Sequence, residues 1–141
     1  MNTDKNEIPE IIKGVWYLSK ETIIKMTKSD DFDLETLIES YHLAALIEDK
    51  ELLEQIEEVL KNFDPMLEIH LRVTSSDIEM IAEKTAKLQI ISIEKNDDKI
   101  RIKGIEDDGT ETDFLFENEN VLVKSVEGTM NFVRNKADLL G

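Results

Sequence analysis

The sequence predicts an α+β, mainly β fold, in which one strand and a helical insertion precede a seven-stranded antiparallel meander. Apolar residues recur with a helical period between residues 20 and 64, and they alternate with polar residues from residue 66 onward. Short turn signals divide the alternating region into strands. Because a sheet of eight strands tends to curl, we expect a closed barrel in a single domain spanning residues 1–141. The alternative is an open sheet packed on the helices.

The first strand is predicted over residues 14–19, after a tail that occupies residues 1–13. Its run Gly14-Val-Trp-Tyr-Leu-Ser19 is short and rich in residues that favour strands. The apolar period changes directly after this run, so we expect the chain to leave the sheet there.

The helical insertion is predicted over residues 20–64. Asp33 and Asp49 can each begin a helix, because a short side-chain oxygen accepts hydrogen bonds from free backbone N–H groups. Asp64-Pro65 is predicted to end the last helix, since the residue before a proline disfavours helical backbone. The apolar stripes are more typical of core-facing surfaces than of partner-binding surfaces. They consist of Leu34, Leu37, Ile38, Tyr41 and, at the end, Ala45, and then of Leu52, Leu53, Ile56, Val59, Leu60 and Phe63.

The meander is predicted over residues 66–135. Asp107-Asp-Gly109 is its strongest turn signal, because glycine accepts the positive φ angle that a tight hairpin requires. Closure would pair the Trp16 strand with the strand that ends at Arg134, and the residues beyond are expected to form a frayed tail. The clearest strand alternates Leu67, Ile69, Leu71 and Val73 with Glu68, His70 and Arg72.

The two ends of the chain carry a resemblance to a known group of proteins. Gly14-Val15-Trp16 on the first strand and Arg134 on the last resemble the calycins, which include the lipocalins and the fatty-acid-binding proteins. The layout is most similar to small bacterial lipocalin-like proteins. This resemblance implies that Arg134 packs over Trp16 and that Gly14, Trp16 and Arg134 close the barrel. It also implies a non-catalytic protein that binds a small apolar or amphipathic molecule.

A ligand of such a barrel would contact the inward-facing side chains of the strands. The helical insertion is longer than the lid of the fatty-acid-binding proteins, and the paired arginines and tyrosine that bind a carboxylate are not found, which argues against a fatty acid. Glu68, His70 and Arg72 are expected to face water, although an inward orientation would make them a polar ligand patch. The candidate interior residues are Ile69, Leu71, Ile90, Ile102, Phe114 and Phe116.

Charge and composition restrict the partners. The formal net charge is −15, from 32 acidic and 17 basic side chains, and it would repel nucleic acids and anionic membrane surfaces. No apolar run approaches the length that a bilayer requires, so we expect no membrane insertion. The chain has no cysteine, and its first residues lack the apolar core of a secretory signal. We therefore expect a cytoplasmic protein, or an exported one if a signal peptide has been removed.

Motifs for catalysis, cofactors or metals are not found. His42 and His70 are not accompanied by a zinc motif, and the acidic run at Asp30, Asp31 and Asp33 lacks the glycine and terminal glutamate of a calcium loop. The glycines stand singly, so no phosphate-binding loop is predicted. We accordingly predict no catalytic residues, no metal and no cofactor.

Three functions remain as hypotheses. The first is a carrier of a small apolar molecule, which needs an apolar internal cavity lined by residues such as the six candidate interior side chains, and a filled core would argue against it. The second is a protein-interaction domain that uses its acidic helices or a sheet edge, which needs an exposed apolar patch. The third is an enzyme without a recognisable motif, for which His42, His70 and nearby carboxylates are the candidates.

Overall fold

Eight antiparallel strands close into a barrel in the computed structural model, which describes residues 8–140. Each strand pairs with its neighbours in chain order, and the last strand pairs with the first. The predicted meander and its closure are confirmed. The strands are β1 Gly14–Leu18, β2 His70–Val73, β3 Asp77–Ile81, β4 Thr85–Asn96, β5 Lys99–Ile105, β6 Glu111–Glu117, β7 Asn120–Ser125 and β8 Gly128–Val133.

Closure rests on a short ladder between β1 and β8, in which Tyr17 pairs with Val133 and Leu18 with Phe132. On its other edge β1 pairs with β2 from Gly14 to Tyr17. The strand that carries Trp16 therefore meets the strand that precedes Arg134, as the sequence predicts.

The helical insertion lies between β1 and β2. Ser19, Asp33 and Asp49 cap its three longer helices, and each side chain accepts a hydrogen bond from a backbone N–H in the first turn. Ile23, Leu34 and Ile56 belong to the same buried cluster as the barrel interior, so the helices and the barrel share one core. The helices are α1 Lys20–Thr27, α2 Leu34–Leu46, α3 Lys50–Leu60 and α4 Asp64–Leu67, with 3₁₀ turns at Glu10–Ile12 and Lys61–Phe63.

The boundary between the insertion and the meander differs from the prediction. Pro65 lies in the first turn of α4 and does not end the helical region, because a proline at this position lacks only an N–H that has no helical partner. Residues 66–69 consequently do not begin a strand, and β2 starts at His70. The alternation of Leu67 with Ile69 therefore does not reflect strand backbone.

Both predicted tails are packed where the structure describes them. Ile8 and Ile12 are buried at one end of the chain, and Leu139 is buried at the other. The imidazole Nε2 of His42 also lies 2.9 Å from the carbonyl oxygen of Leu140, which ties the C-terminal segment to α2. The expectation of a frayed C-terminal tail is wrong, because Leu139 in this segment is buried against the rest of the protein.

The middle of the barrel is filled with side chains. Alternate residues of β5, β6 and β7 point inward, and Phe114 and Phe116 are among the largest fully buried side chains. Their ring centroids are 6.5 Å apart, and the Trp16 ring meets that of Phe116 edge-on at 5.5 Å. Leu71, Ile102 and Phe114 are each 0% exposed, which leaves no space for a water molecule against them.

Among the described residues, no helix is long and apolar enough to cross a bilayer.

Candidate functional site

The two ends of the barrel differ in what covers them. The β2–β3, β4–β5 and β6–β7 turns lie at the end where β1 begins, which we call the sealed end. The β3–β4, β5–β6 and β7–β8 turns lie at the other end, which we call the mouth. The helical insertion starts and finishes at the mouth, because it follows the last residue of β1 and precedes the first residue of β2. Thr22 of α1 accepts a hydrogen bond from the Asn131 N–H of β8, which places α1 beside β8.

Arg134 closes the sealed end. Its guanidinium carbon lies 3.6 Å from the centroid of the Trp16 ring, within the range of a cation–π contact. Its nitrogens donate to the carbonyl oxygens of Lys13, at 3.1 Å, and Ile11, at 2.5 Å. The Trp16 indole donates in turn to the Ile12 carbonyl at 2.9 Å. Burial lowers the pKa of Arg134, but a guanidinium remains protonated at any physiological pH.

Gly14 makes this packing feasible. Its φ angle of 119° lies in the region that favours glycine, and an added Cβ would come within 3.3 Å of the Arg134 Nη1. The contacts of Gly14, Trp16 and Arg134 thus join the start of β1 to the end of β8. The Trp16 indole and the Arg134 guanidinium direct these hydrogen bonds to carbonyl oxygens of the same chain, and their role in closing the barrel stays a prediction.

A hollow of about 320 Å³ lies outside this seal. Pro9, Ile11 and Ile12 form one wall, and Ile100 and Phe116 contribute the apolar part of the barrel side. The remaining lining is polar and comes from the β4–β5 and β6–β7 turns.

The mouth contains a hollow of about 380 Å³, which we call the mouth pocket. Its apolar lining comes from inward positions on three strands, with Met80 from β3, Leu88 from β4 and Met130 from β8. Polar groups stand around it on the turns and at the adjoining strand ends. They are Lys84, Glu106, Asp108, Thr110, Thr112, Ser125 and Glu127, and the exposed Val126 also belongs to the lining.

The β5–β6 turn holds one side of this rim in place. The Gly109 N–H donates to the Glu106 carbonyl, and the Glu106 N–H donates to the Thr110 carbonyl, each at 2.9 Å. The Thr110 N–H also donates to an Asp108 carboxylate oxygen at 2.9 Å. Hydrogen bonding to the Thr110 side chain, and then to its backbone, lowers the pKa of Asp108. This carboxylate therefore remains charged at neutral pH.

The charges of the rim disfavour a negatively charged ligand. Glu106, Asp108 and Glu127 are carboxylates, whereas Lys84 is the one basic side chain that the pocket lining includes. An apolar lining below a polar rim suits a molecule with one apolar and one polar end. The excess of carboxylates disfavours a negative charge at the polar end.

The candidate interior residues do not line the mouth pocket. Leu71, Ile102, Phe114 and Phe116 are buried in the filled middle, and Phe116 also reaches the hollow outside the seal. Ile69 and Ile90 are half-buried, Ile69 just before β2 and Ile90 beside a register shift in β4. The role of these six side chains in ligand binding stays a prediction.

The polar residues of the clearest predicted strand lie on the outside of the barrel. Arg72 is exposed and its guanidinium lies 3.8 Å from the Glu79 carboxylate. The imidazole Nδ1 of His70 lies 2.7 Å from the Glu68 carbonyl oxygen, and His42 is on α2. Over residues 8–140, no three histidine, aspartate or glutamate side chains are grouped closely enough to hold a metal ion.

Sequence reasoning missed the mouth pocket, although a usable signal was present. In a closed meander, every second turn lies at the same end, so the β3–β4, β5–β6 and β7–β8 turns must surround one opening. The inward residues near those turns include Met80, Leu88 and Met130. Their placement follows from strand order combined with alternation.

Comparison with protein-family models, with curated proteins and with solved structures finds no match to this chain. The fold described above consequently rests on the strand pairing of this chain.

Proposed function

We propose that this protein is a non-catalytic, lipocalin-like binding protein that takes a small apolar or amphipathic molecule into the mouth pocket. The observation that carries the proposal is the pocket itself, with its apolar lining from Met80, Leu88 and Met130 below a ring of polar turns. Its volume of about 380 Å³ is in the lower part of the range of small-molecule sites.

The composition of the lining supports this assignment. Methionine side chains are flexible and polarisable, so Met80 and Met130 can adapt to apolar tails of different shapes. The filled middle limits how deeply a ligand can enter, because Phe114 and Ile102 leave no space below the pocket. The ligand is therefore a short molecule whose polar end remains at the rim.

The resemblance of Gly14-Val15-Trp16 and Arg134 to the calycin pattern supports the same function. Many members of that group hold a small molecule at the open end of a barrel, and the contact between Arg134 and Trp16 is the one the resemblance implies. We infer that this chain is a distant lipocalin-like protein with a shallow site.

Methyl NMR of protein labelled at its methionines tests the proposal. Met80 and Met130 line the mouth pocket, whereas Met26 in α1 and Met66 in α4 do not and serve as internal controls. The probes are octanol, octanoate and octyltrimethylammonium, which share an apolar tail and differ in head-group charge. We expect saturable shifts of Met80 and Met130, strongest with the cation and weakest with octanoate.

A variant that fills the pocket provides the matched test. Ala86 is half-buried in the lining, so Ala86→Phe should occupy the space and abolish the ligand-induced shifts. Ala45→Phe makes the same change on the exposed surface of α2 and should leave the shifts unaltered. Equal shifts at all four methionines, or an unchanged response of Ala86→Phe, would contradict the proposal.

A further inference from the structure

The end of α2 and the residue that follows it expose a strip of large apolar side chains. Leu43, Leu46 and Ile47 are 60%, 79% and 62% exposed. Their spacing of three and four residues places them on one side of the helix. We call these three residues the α2 strip. Leu52, in the first turn of α3, is also exposed over about a third of its surface.

The α2 strip does not pack against the core. The opposite side of α2 already buries Leu34, Ile38 and Ala44. The helix is therefore apolar on two sides, unlike an ordinary surface helix with a polar outer side. Several large apolar side chains exposed together are typical of an interaction surface, whereas scattered ones are not.

The surroundings of the strip are acidic. The helix pair over residues 34–63 has eight carboxylate side chains and two lysines. Asp49 caps α3, and Glu57 accepts a hydrogen bond from the Tyr41 hydroxyl. Glu39, Glu48 and Glu51 are exposed and lie within one or two helical turns of the strip.

We propose that the α2 strip docks a basic amphipathic helix of another protein. The apolar side of such a helix would cover Leu43, Leu46 and Ile47, while its lysines or arginines would face Glu39, Glu48 and Glu51. Charge complementarity selects this occupant, because a second copy of this chain would bring a further net charge of −15 to the same surface. The proposal does not depend on the mouth pocket, which lies on the barrel turns.

The test uses the full chain and a labelled synthetic helix of about 18 residues, built from leucine on one side and lysine on the other. Binding is followed by fluorescence anisotropy at about 0.15 M and about 0.5 M NaCl. A peptide with glutamate in place of lysine serves as the charge control. We expect saturable binding of the lysine peptide that weakens but persists at the higher salt concentration, and none of the glutamate peptide.

Two charge-neutral variants separate docking from general attraction to an acidic protein. Leu43→Gln with Leu46→Gln changes only exposed side chains, and it should weaken binding at least about tenfold. Met26→Gln with Ile91→Gln makes the same kind of change at two exposed residues outside the α2 strip and should leave binding unaltered. Equal effects of the two pairs would overturn the proposal. Sedimentation that shows a dimer dissociated by the Leu43 and Leu46 changes would also overturn it, in favour of a second copy.

Discussion

At the scale of single residues, Arg134 joins the end of β8 to the segment that leads into β1. Its side chain lies over Trp16 of β1, and it donates to carbonyls of the segment before β1. A single planar side chain thus holds the N-terminal segment against the end of β8. The planar shape of the guanidinium allows it to stack on the Trp16 ring. Its fork of N–H groups allows it to donate to two carbonyl oxygens at the same time.

We expect Arg134→Ala to lower the free energy of unfolding by about 2 kcal/mol, because one cation–π contact and two hydrogen bonds are lost. Arg134→Lys retains the charge but not the fork, so a loss of about 1 kcal/mol is expected. Urea unfolding followed by the fluorescence of Trp16 measures both, since the chain has one tryptophan. Arg101→Ala, at an exposed position on β5, is the control and should change the stability little. A similar loss for all three variants would show that the contact is not stabilising.

At the scale of elements, the C-terminal segment acts as a strap between the barrel and the helices. Lys136 forms an ion pair with Glu68 just before β2, and the Leu140 carbonyl meets His42 on α2. Leu139 lies between these two contacts and is buried. The segment follows β8 without a regular secondary structure, and its stability depends on these side-chain contacts.

We expect Leu139→Ala to reduce the free energy of unfolding by about 2–3 kcal/mol, because a buried leucine is replaced by a smaller residue and a cavity remains. Hydrogen exchange should also show faster exchange in α2, since the segment packs against that helix. Lys136→Ala removes an exposed ion pair and should cost less than about 1 kcal/mol. If Leu139→Ala were as mild as Lys136→Ala, the strap would not contribute to stability.

At the scale of the whole molecule, the filled middle divides the barrel into two ends with different properties. The rings of Trp16, Phe114 and Phe116 occupy the centre, and the hollows lie outside it. A ligand that enters the mouth pocket therefore cannot reach the seal around Arg134. Binding at the mouth and stability at the sealed end should respond to different substitutions.

Xenon NMR tests the filled middle directly. We expect no saturable xenon binding near Ile102 in the native protein, because this side chain has no adjacent void. Phe114→Ala should create such a site and lower the free energy of unfolding by about 3–5 kcal/mol. Phe63→Ala alters a half-buried ring outside the barrel strands and should create no xenon site near Ile102. Phe114→Leu provides a milder cavity if the alanine variant does not fold. Xenon bound near Ile102 in the native protein would contradict the packing described here.

The sequence by itself was sufficient for the order and type of the main elements. Helical and alternating periods reflect local backbone geometry, and turns such as Asp107-Asp-Gly109 depend on the φ angles of a few adjacent residues. Eight strands in one meander then favour closure, because an open sheet would leave two unpaired edges. The contact of Arg134 with Trp16 was implied by the resemblance of two short motifs.

Only the tertiary structure decided where space remains in the barrel and how its ends are covered. Whether Phe114 and Phe116 surround a cavity or fill it depends on the summed volumes of side chains that are distant in sequence. The mouth pocket arises where inward residues of β3, β4 and β8 meet beyond that filling. The packing of the terminal segments and the exposure of the α2 strip were also decided by the tertiary structure. A local apolar pattern predicts that side chains will be buried, but it does not say which other surface of the protein covers them.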